Sequence, residues 1–205
     1  YYDLPIYKNS NNDQLKIFTK QGLVSIKIKS KNFHILFRCG SISSRYGLHA
    51  DQLHVDLISS NKNILFDIGS FSYNNDINRH NFFRGSSSHN TITLENKSQM
   101  TPYRKFKFLN WTKSHLIKSN EFSDKRIMCG GGHNGYLKLT QNVLHSRYIM
   151  KLDCLSLIII DNVKSFKNKF IKSAILNWNI PIFSKLKQKN CKDTFSIGDC
   201  DIKII

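Results

Sequence analysis

"LVSIKIKSKNFHILFRC", residues 23 to 39, reads as two strands joined by a short turn. Val24, Ile26 and Ile28 alternate with Ser25 and Lys27, the period of a half-buried strand and not of a helix. After a Ser-Lys-Asn turn the run Phe33 to Cys39 resumes the pattern, which suggests a hairpin. "QLHVDLI" (52 to 58) repeats it, with Leu53, Val55 and Leu57 against Gln52, His54 and Asp56, and "ILFDIG" follows "SSNKN" as its hairpin partner. His54 and Asp56 thereby fall on the polar, outward face. Further strands are expected at "HNTITLE" (89 to 95), "RKFKFLNW" (104 to 111), "YLKLTQNV" (136 to 143), "SRYIMKLD" (146 to 153), "LSLIIIDNV" (155 to 163), "KFIKSAILNWN" (169 to 179) and "FSIGDCDIKII" (195 to 205). β-Branched and aromatic residues fill these runs, as strands prefer. The stretches "SYNNDINRHN", "GSSS" and "CGGGHNG" read as loops, and no segment gives an amphipathic helix of ten or more residues. The expectation is an all-β fold, a two-layer antiparallel β-sandwich of supersandwich type, with residues 1–205 as one domain.

A chain of 205 residues hides enough apolar surface to fold without a metal or disulfide staple. It opens on Tyr1 and not Met, which reads as a piece of a longer protein or a stretch with its start removed. No apolar run approaches the ~18 residues of a membrane span. The five cysteines, Cys39, Cys129, Cys154, Cys191 and Cys200, are scattered and form no CxxC pair. They read as single buried thiols, not as a disulfide framework or a thiolate zinc site. The net charge of +17 attracts polyanions of any kind. Only seven of the 31 basic residues are Arg, the lysines are dispersed, and no nucleic-acid motif is present. That argues against nucleic acid and leaves an acidic polysaccharide as a partner for the same field.

Two imidazoles and a carboxylate are a ligand set that zinc accepts when thiolates are absent. His49, Asp67 and His89 stand at three expected strand ends, and a sandwich can bring such ends to one rim. Spacing raises an objection. If "SSNKN" closes a simple hairpin, Asp67 faces about residue 55, and six extended residues back to His49 span roughly 20 Å. Coordination then requires "GLHAD" to leave the ladder and curl back, a departure that Gly47 eases. His34, His80, His115, His133 and His145 have no partner that spacing identifies.

His49-Ala50-Asp51-Gln52-Leu53, Asp67-Ile68-Gly69-Ser70-Phe71-Ser72-Tyr73-Asn74, Phe83-Arg84 and His89-Asn90-Thr91 occur in that order. Together they resemble the C-terminal β-sandwich domain of the heparinase II/III-like family of polysaccharide lyases. The likeness is densest over about residues 45 to 112, continues in "KSQM" and "FKFLNW", and extends more weakly to "HSR" at 145 to 147. It implies cleavage of uronate-containing glycans by β-elimination, and a zinc or other divalent cation held by His49, Asp67 and His89. It implies a bacterial, periplasmic or secreted protein that acts on acidic polysaccharide. Tyr73 and Arg84 become candidates for substrate contact, through a phenol hydroxyl and a guanidinium matched to a carboxylate. The alternative for Arg84 is a structural ion pair with Asp76.

Two departures limit the resemblance. Several family members carry a catalytic His where this chain has Gly47. Their catalytic Tyr and carboxylate-neutralising residues sit mostly in an N-terminal helical toroid, and nothing in these residues resembles it. No catalytic residue is therefore assigned. Activity as a lyase requires completion by that helical domain, and a non-catalytic module that binds acidic polysaccharide is the second expectation.

Overall fold

The computed structural model describes residues 13–28, 32–40, 48–71, 76–121, 126–152, 156–181, 186–188, 194–197 and 200–203. The hairpin that opens the reading is present. β1 (Gln14–Phe18), β2 (Leu23–Ile28), β3 (Phe33–Arg38), β4 (Val55–Ser59) and β5 (Lys62–Leu65) form one antiparallel sheet in chain order. Ile28 faces Phe33 across the β2–β3 turn, and Ser60 and Asn61, both left-handed, close the β4–β5 turn. A short helix, α1 (Ile77–Phe83), follows, and its first N–H groups are capped by the Asp76 carboxylate. Next come β6 (Ile92–Leu94) and the ribbon of β7 (Thr101–Tyr103) with β8 (Lys107–Leu109).

The second large sheet contains β9 (Ser114–Glu121), β10 (Ile127–His133), β11 (Val143–Lys151) and β12 (Leu157–Ser165), ordered β12-β11-β10-β9. β13 (Ala174–Leu176) pairs with β6, and β14 (Leu186–Gln188), β15 (Thr194–Ile197) and β16 (Cys200–Lys203) form a small meander. The core lies between the two large sheets. Val24, Ile26, Ile35, Phe37, Val55 and Leu65 from the first meet Ile127, Cys129 and Ile149 from the second. The fold is thus all-β, a two-layer antiparallel β-sandwich with one helix among the described residues. No described helix is long and apolar enough to cross a membrane. Cys39 and Cys129 are free and buried, and burial pushes each thiol up to about 12. Cys154 and Cys191 lie outside the described residues.

Local expectations fail in several places, each for a physical reason. "SYNNDINRHN" is not a loop throughout, because Ile77 to Asn81 begin α1 under the Asp76 cap. "CGGGHNG" is not a loop at its start, because Cys129 to His133 belong to β10. The glycines serve close packing there: a Cβ on Gly130 would lie 2.4 Å from the Tyr148 ring, and one on Gly131 would lie 2.1 Å from Cys39 Sγ. "YLKLTQNV" is not a strand. Tyr136 is fully buried with its hydroxyl donating to Ile92 O, and turn bonds run from Leu139 N to Tyr136 O and from Asn142 N to Leu139 O. A strand begins only at Val143. "FSIGDCDIKII" divides into the β15–β16 hairpin, with Ile197 opposite Cys200.

Gly131→Ala forces its new methyl onto Cys39 and Leu53, so it is expected to destabilise the fold by about 1–3 kcal/mol in urea unfolding.

Candidate metal centre

β4 begins at Val55 and not at Gln52, because Leu53 takes a left-handed backbone (φ 62°) inside the protein. Regular ladder pairing is broken at such a residue, and the bulge-like bonds Leu53 N to Arg38 O and Arg38 N to His54 O join this point to β3. The chain before it turns, with His54 N donating to Asp51 O. The stretch 48–54 is thereby freed to fold over the sandwich edge, the departure from the ladder that the spacing argument requires. Gly47 itself lies outside the described residues.

Side chains then stitch this stretch to the one at 86–99. Ala50 N donates to Arg84 O, and Ser86 Oγ donates to Ala50 O at 2.6 Å. Gln52 is fully buried. Its N–H donates to Gln99 Oε1, and its carbonyl accepts from Gln99 Nε2 and Thr91 Oγ1. Ser114 Oγ donates to Gln52 Oε1. Asp51 pairs with Arg38 at 2.9 Å. Most polar groups in these segments are thus satisfied internally, as buried polar atoms must be.

The result is convergence of His49, Asp67 and His89, whose ligand atoms all lie within 4.8 Å of one another. Asp67 follows β5, and His89 follows the 3-10 turn Ser86–Ser88. Asp67 Oδ2 is 3.1 Å from His89 Nδ1, and Asp67 Oδ1 accepts from Gly69 N, a glycine at φ 73°. The His49 and His89 rings lie 5.1 Å apart, with Ser70 Oγ 3.0 Å from His49 Nε2. His89 is fully buried, yet its Nε2 has no hydrogen-bond partner among the described residues. A buried nitrogen left bare beside a carboxylate and a second imidazole is the donor set a divalent cation satisfies, so these residues fit such an ion.

The electrostatics agree with that fit. Burial alone would raise the Asp67 carboxyl. The His89 hydrogen bond, the charges of His89 and His54, and the Gly69 N–H outweigh it and hold Asp67 well below the usual carboxylate range. Burial first, and then the neighbouring His89, lower His49, which favours the neutral ring with a free lone pair.

His54 corrects the sequence reading. It does bond Asp56, at 3.0 Å, but it is only 4% exposed and is not part of an exterior face. Asn90 N donates to His54 Nδ1, which puts the ring proton on Nε2, facing Asp56 and, at 3.8 Å, Asp67 Oδ2. The kink at Leu53 rotates it inward, and the alternation count cannot see that kink. Asn90, Gln52 and Gln99 carry as much of the site's construction as the three candidate ligands do. All three lie in the motif blocks, and period alone gives them no role.

Arg84 does not stand as a free cation. It is 3% exposed, and its guanidinium donates to Asn81 Oδ1 twice, to Lys105 O and to Arg104 O, with the Phe108 ring 4.5 Å away. Asp76 pairs with Arg79 instead. Arg84 therefore ties α1 to the β7–β8 turn through neutral partners. Tyr73 lies outside the described residues.

The pattern of the heparinase II/III-like C-terminal domain matches residues 14–197. The chain belongs to that family. Similar folds among solved structures include the "Heparinase III-BT4657 gene product", with a TM-score of 0.71 and 20% identity over 88% of this chain and 26% of that one. A heparan sulfate lyase HepC mutant from Pedobacter heparinus gives a TM-score of 0.67 and 16% identity over 88% of this chain and 26% of that one. A further heparinase III gives a TM-score of 0.66 and 16% identity over 91% of this chain and 28% of that one. The chain spans about a quarter of the length of these structures. No curated protein matches it. This heparinase-like domain suggests a polysaccharide-lyase context.

In the metal-free protein both shifts act in one direction. Asp67 has a depressed folded pKa, so its contribution is present above the unfolded value of 3.8 and is lost as pH falls through the folded one. His49 is also depressed, so the folded state resists its charging, and stability falls as pH drops below the unfolded value of 6.5. The denaturation midpoint of metal-free protein is expected to decline from pH 7.5 to pH 5, with the decline shallower in His49→Gln.

Proposed function

We propose that this domain is the β-sandwich part of a polysaccharide lyase that cleaves uronate-containing acidic glycans by β-elimination, and that His49, Asp67 and His89 hold a zinc ion. The single observation behind the metal assignment is the convergence of the three side chains within 4.8 Å, with His89 Nε2 buried and bare. A divalent cation bound there would supply positive charge and cross-link three segments at the edge of the sandwich. The residues themselves bind and orient. Ser70 steadies the His49 ring, and His54, its Nε2 bonded to Asp56, lies 3.8 Å from the Asp67 carboxylate.

In β-elimination a base removes the proton on C5 of the uronate, the electron pair forms the C4–C5 double bond, and the C4–O bond breaks as an acid protonates the departing oxygen. Charge developing on the carboxylate must be neutralised by nearby donors. The groups that perform these transfers are expected from a helical domain outside this chain, because Gly47 stands where several relatives carry a catalytic His. The field of a +17 chain draws an acidic glycan in, more weakly as salt rises. A periplasmic or secreted bacterial setting accords with such a substrate.

A second reading is a module that binds acidic polysaccharide without turnover, and Gly47 is the feature that favours it. The two separate in one assay. The longer protein that carries this domain is expected to raise the ultraviolet absorbance of unsaturated uronate from an acidic glycan. Binding without any such rise supports the module.

The metal assignment is tested by elemental analysis. Purified protein is expected to hold stoichiometric zinc, and His89→Ala to lose affinity by more than the ~10–100-fold that removal of an outer-shell partner causes. Zinc retained unchanged in the variant removes His89 from the site.

A further inference from the structure

A second polar cluster lies inside the sandwich, where sequence period assigns no chemistry. His133 and His145 face each other across β10 and β11, and Arg147 faces Asp161 across β11 and β12. All four point into the layer between the sheets, and His133, His145 and Arg147 are essentially fully buried. Gly135 N donates to His133 Nδ1, so the His133 proton sits on Nε2 and is donated to His145 Nδ1 at 3.0 Å. His145 must then carry its own proton on Nε2, which it gives to Asp161 Oδ1 at 2.7 Å. Each ring fixes the tautomer of the next, and the chain of donors ends on one carboxylate.

Asp161 passes that order to Arg147. The guanidinium grips both carboxylate oxygens, with Nε to Oδ1 and Nη2 to Oδ2 each at 2.8 Å. Its remaining arm, Nη1, donates to Leu53 O at 2.7 Å and to Asn90 O at 2.6 Å. Those two carbonyls belong to the left-handed residue before His54 and to the residue after His89. Asn90 in turn donates its N–H to His54 Nδ1 and its Nδ2 to Val55 O and Phe66 O, the latter one residue before Asp67.

We propose that Arg147, locked from behind by Asp161, His145 and His133, is a positioning residue for the metal centre. It holds the backbones beside His54 and His89 in the register that brings His89 to Asp67. The inference rests on the metal reading of His49, Asp67 and His89. Arg147 touches none of those three side chains and acts through Asn90 and Leu53.

Arg147→Lys keeps a positive charge beside Asp161, but a single ammonium cannot grip the carboxylate bidentately while spanning two carbonyls. Zinc affinity by chelator competition is expected to weaken ~10–100-fold, and the visible spectrum of the cobalt(II)-substituted protein to shift. Asp161→Asn is expected to do the same by a different route. Ile26→Ala lies in the apolar core outside this network, and it is expected to lower the melting temperature with zinc affinity and cobalt spectrum unchanged. The proposal is overturned if folded Arg147→Lys keeps the parent affinity and spectrum, or if Ile26→Ala weakens zinc as much. Failure of the metal reading looks different: the parent protein takes up neither zinc nor cobalt, and the proposal falls with it. Hydrogen exchange at Asn90 N–H tests the clamp without metal. Faster exchange in Arg147→Lys supports the clamp, and unchanged protection overturns it.

Discussion

Leu53 is a buried, branched residue held at φ 62°, a conformation that costs of order 1–3 kcal/mol and persists only where its surroundings impose it. The surroundings are identifiable. Arg38 O takes its N–H, Arg147 takes its carbonyl, and its side chain packs in the main core beneath Gly131. The site descends from this one constraint. With Leu53 extended, β4 would begin earlier, His54 would turn outward, and His49 would be carried along the strand away from Asp67. With Leu53 left-handed, the strand starts at Val55, and residues 48–54 cross the edge of the sandwich to meet residues 86–99.

Period two is enough to read β2, β3, β11 and β12, because each has one face on the core and substitution along it is regular. It fails where the side chain is missing or the turn is buried. Gly130 to Gly132 look like punctuation, yet Tyr148, Cys39 and Ile117 fill the space their side chains leave, a tertiary fact without local signature. Tyr136 to Asn142 look like a strand because their apolar residues alternate, but Tyr136 is anchored to Ile92 by a hydroxyl that period does not weigh. The candidate ligand triad is visible only as residue types at strand ends, and it is the likeness of ordered motifs that singles it out. His54 is misplaced by alternation because the kink precedes it by one residue. Nothing local marks His133, His145 or Arg147, since their partners are strand neighbours fixed by register.

The two buried arginines show how one residue type is used in two ways. Arg84 is satisfied by an amide oxygen and two carbonyls and stacks on Phe108, with no carboxylate paired to it among the described residues. Arg147 has Asp161 for compensation and lies 5.3 Å from the Trp178 ring. Burial of a charge is tolerable when its counter-ion and hydrogen bonds come with it, and a bidentate pair meets that condition best. Replacing Arg147 with a carbon chain would take a donor from the Leu53 and Asn90 carbonyls, and replacing Arg84 would take one from the Arg104 carbonyl, so each change costs hydrogen bonds as well as charge.

An apolar filling would stabilise such a layer as well or better, so the polar cluster calls for a reason other than stability. Apolar side chains tolerate sliding by fractions of an ångström, whereas a directional chain of donors admits one arrangement. His133, His145, Asp161 and Arg147 form such a chain, and it ends on two backbone carbonyls, one beside His54 and one beside the candidate ligand His89. The main apolar core, from Val24 to Ile149, draws the two sheets together and has no means of dictating the rotation of a particular imidazole. That task falls to the polar layer beside it. The arrangement gives a reason for burying His133, His145, Arg147, Asn90, Gln52 and Gln99 in an otherwise aliphatic sandwich.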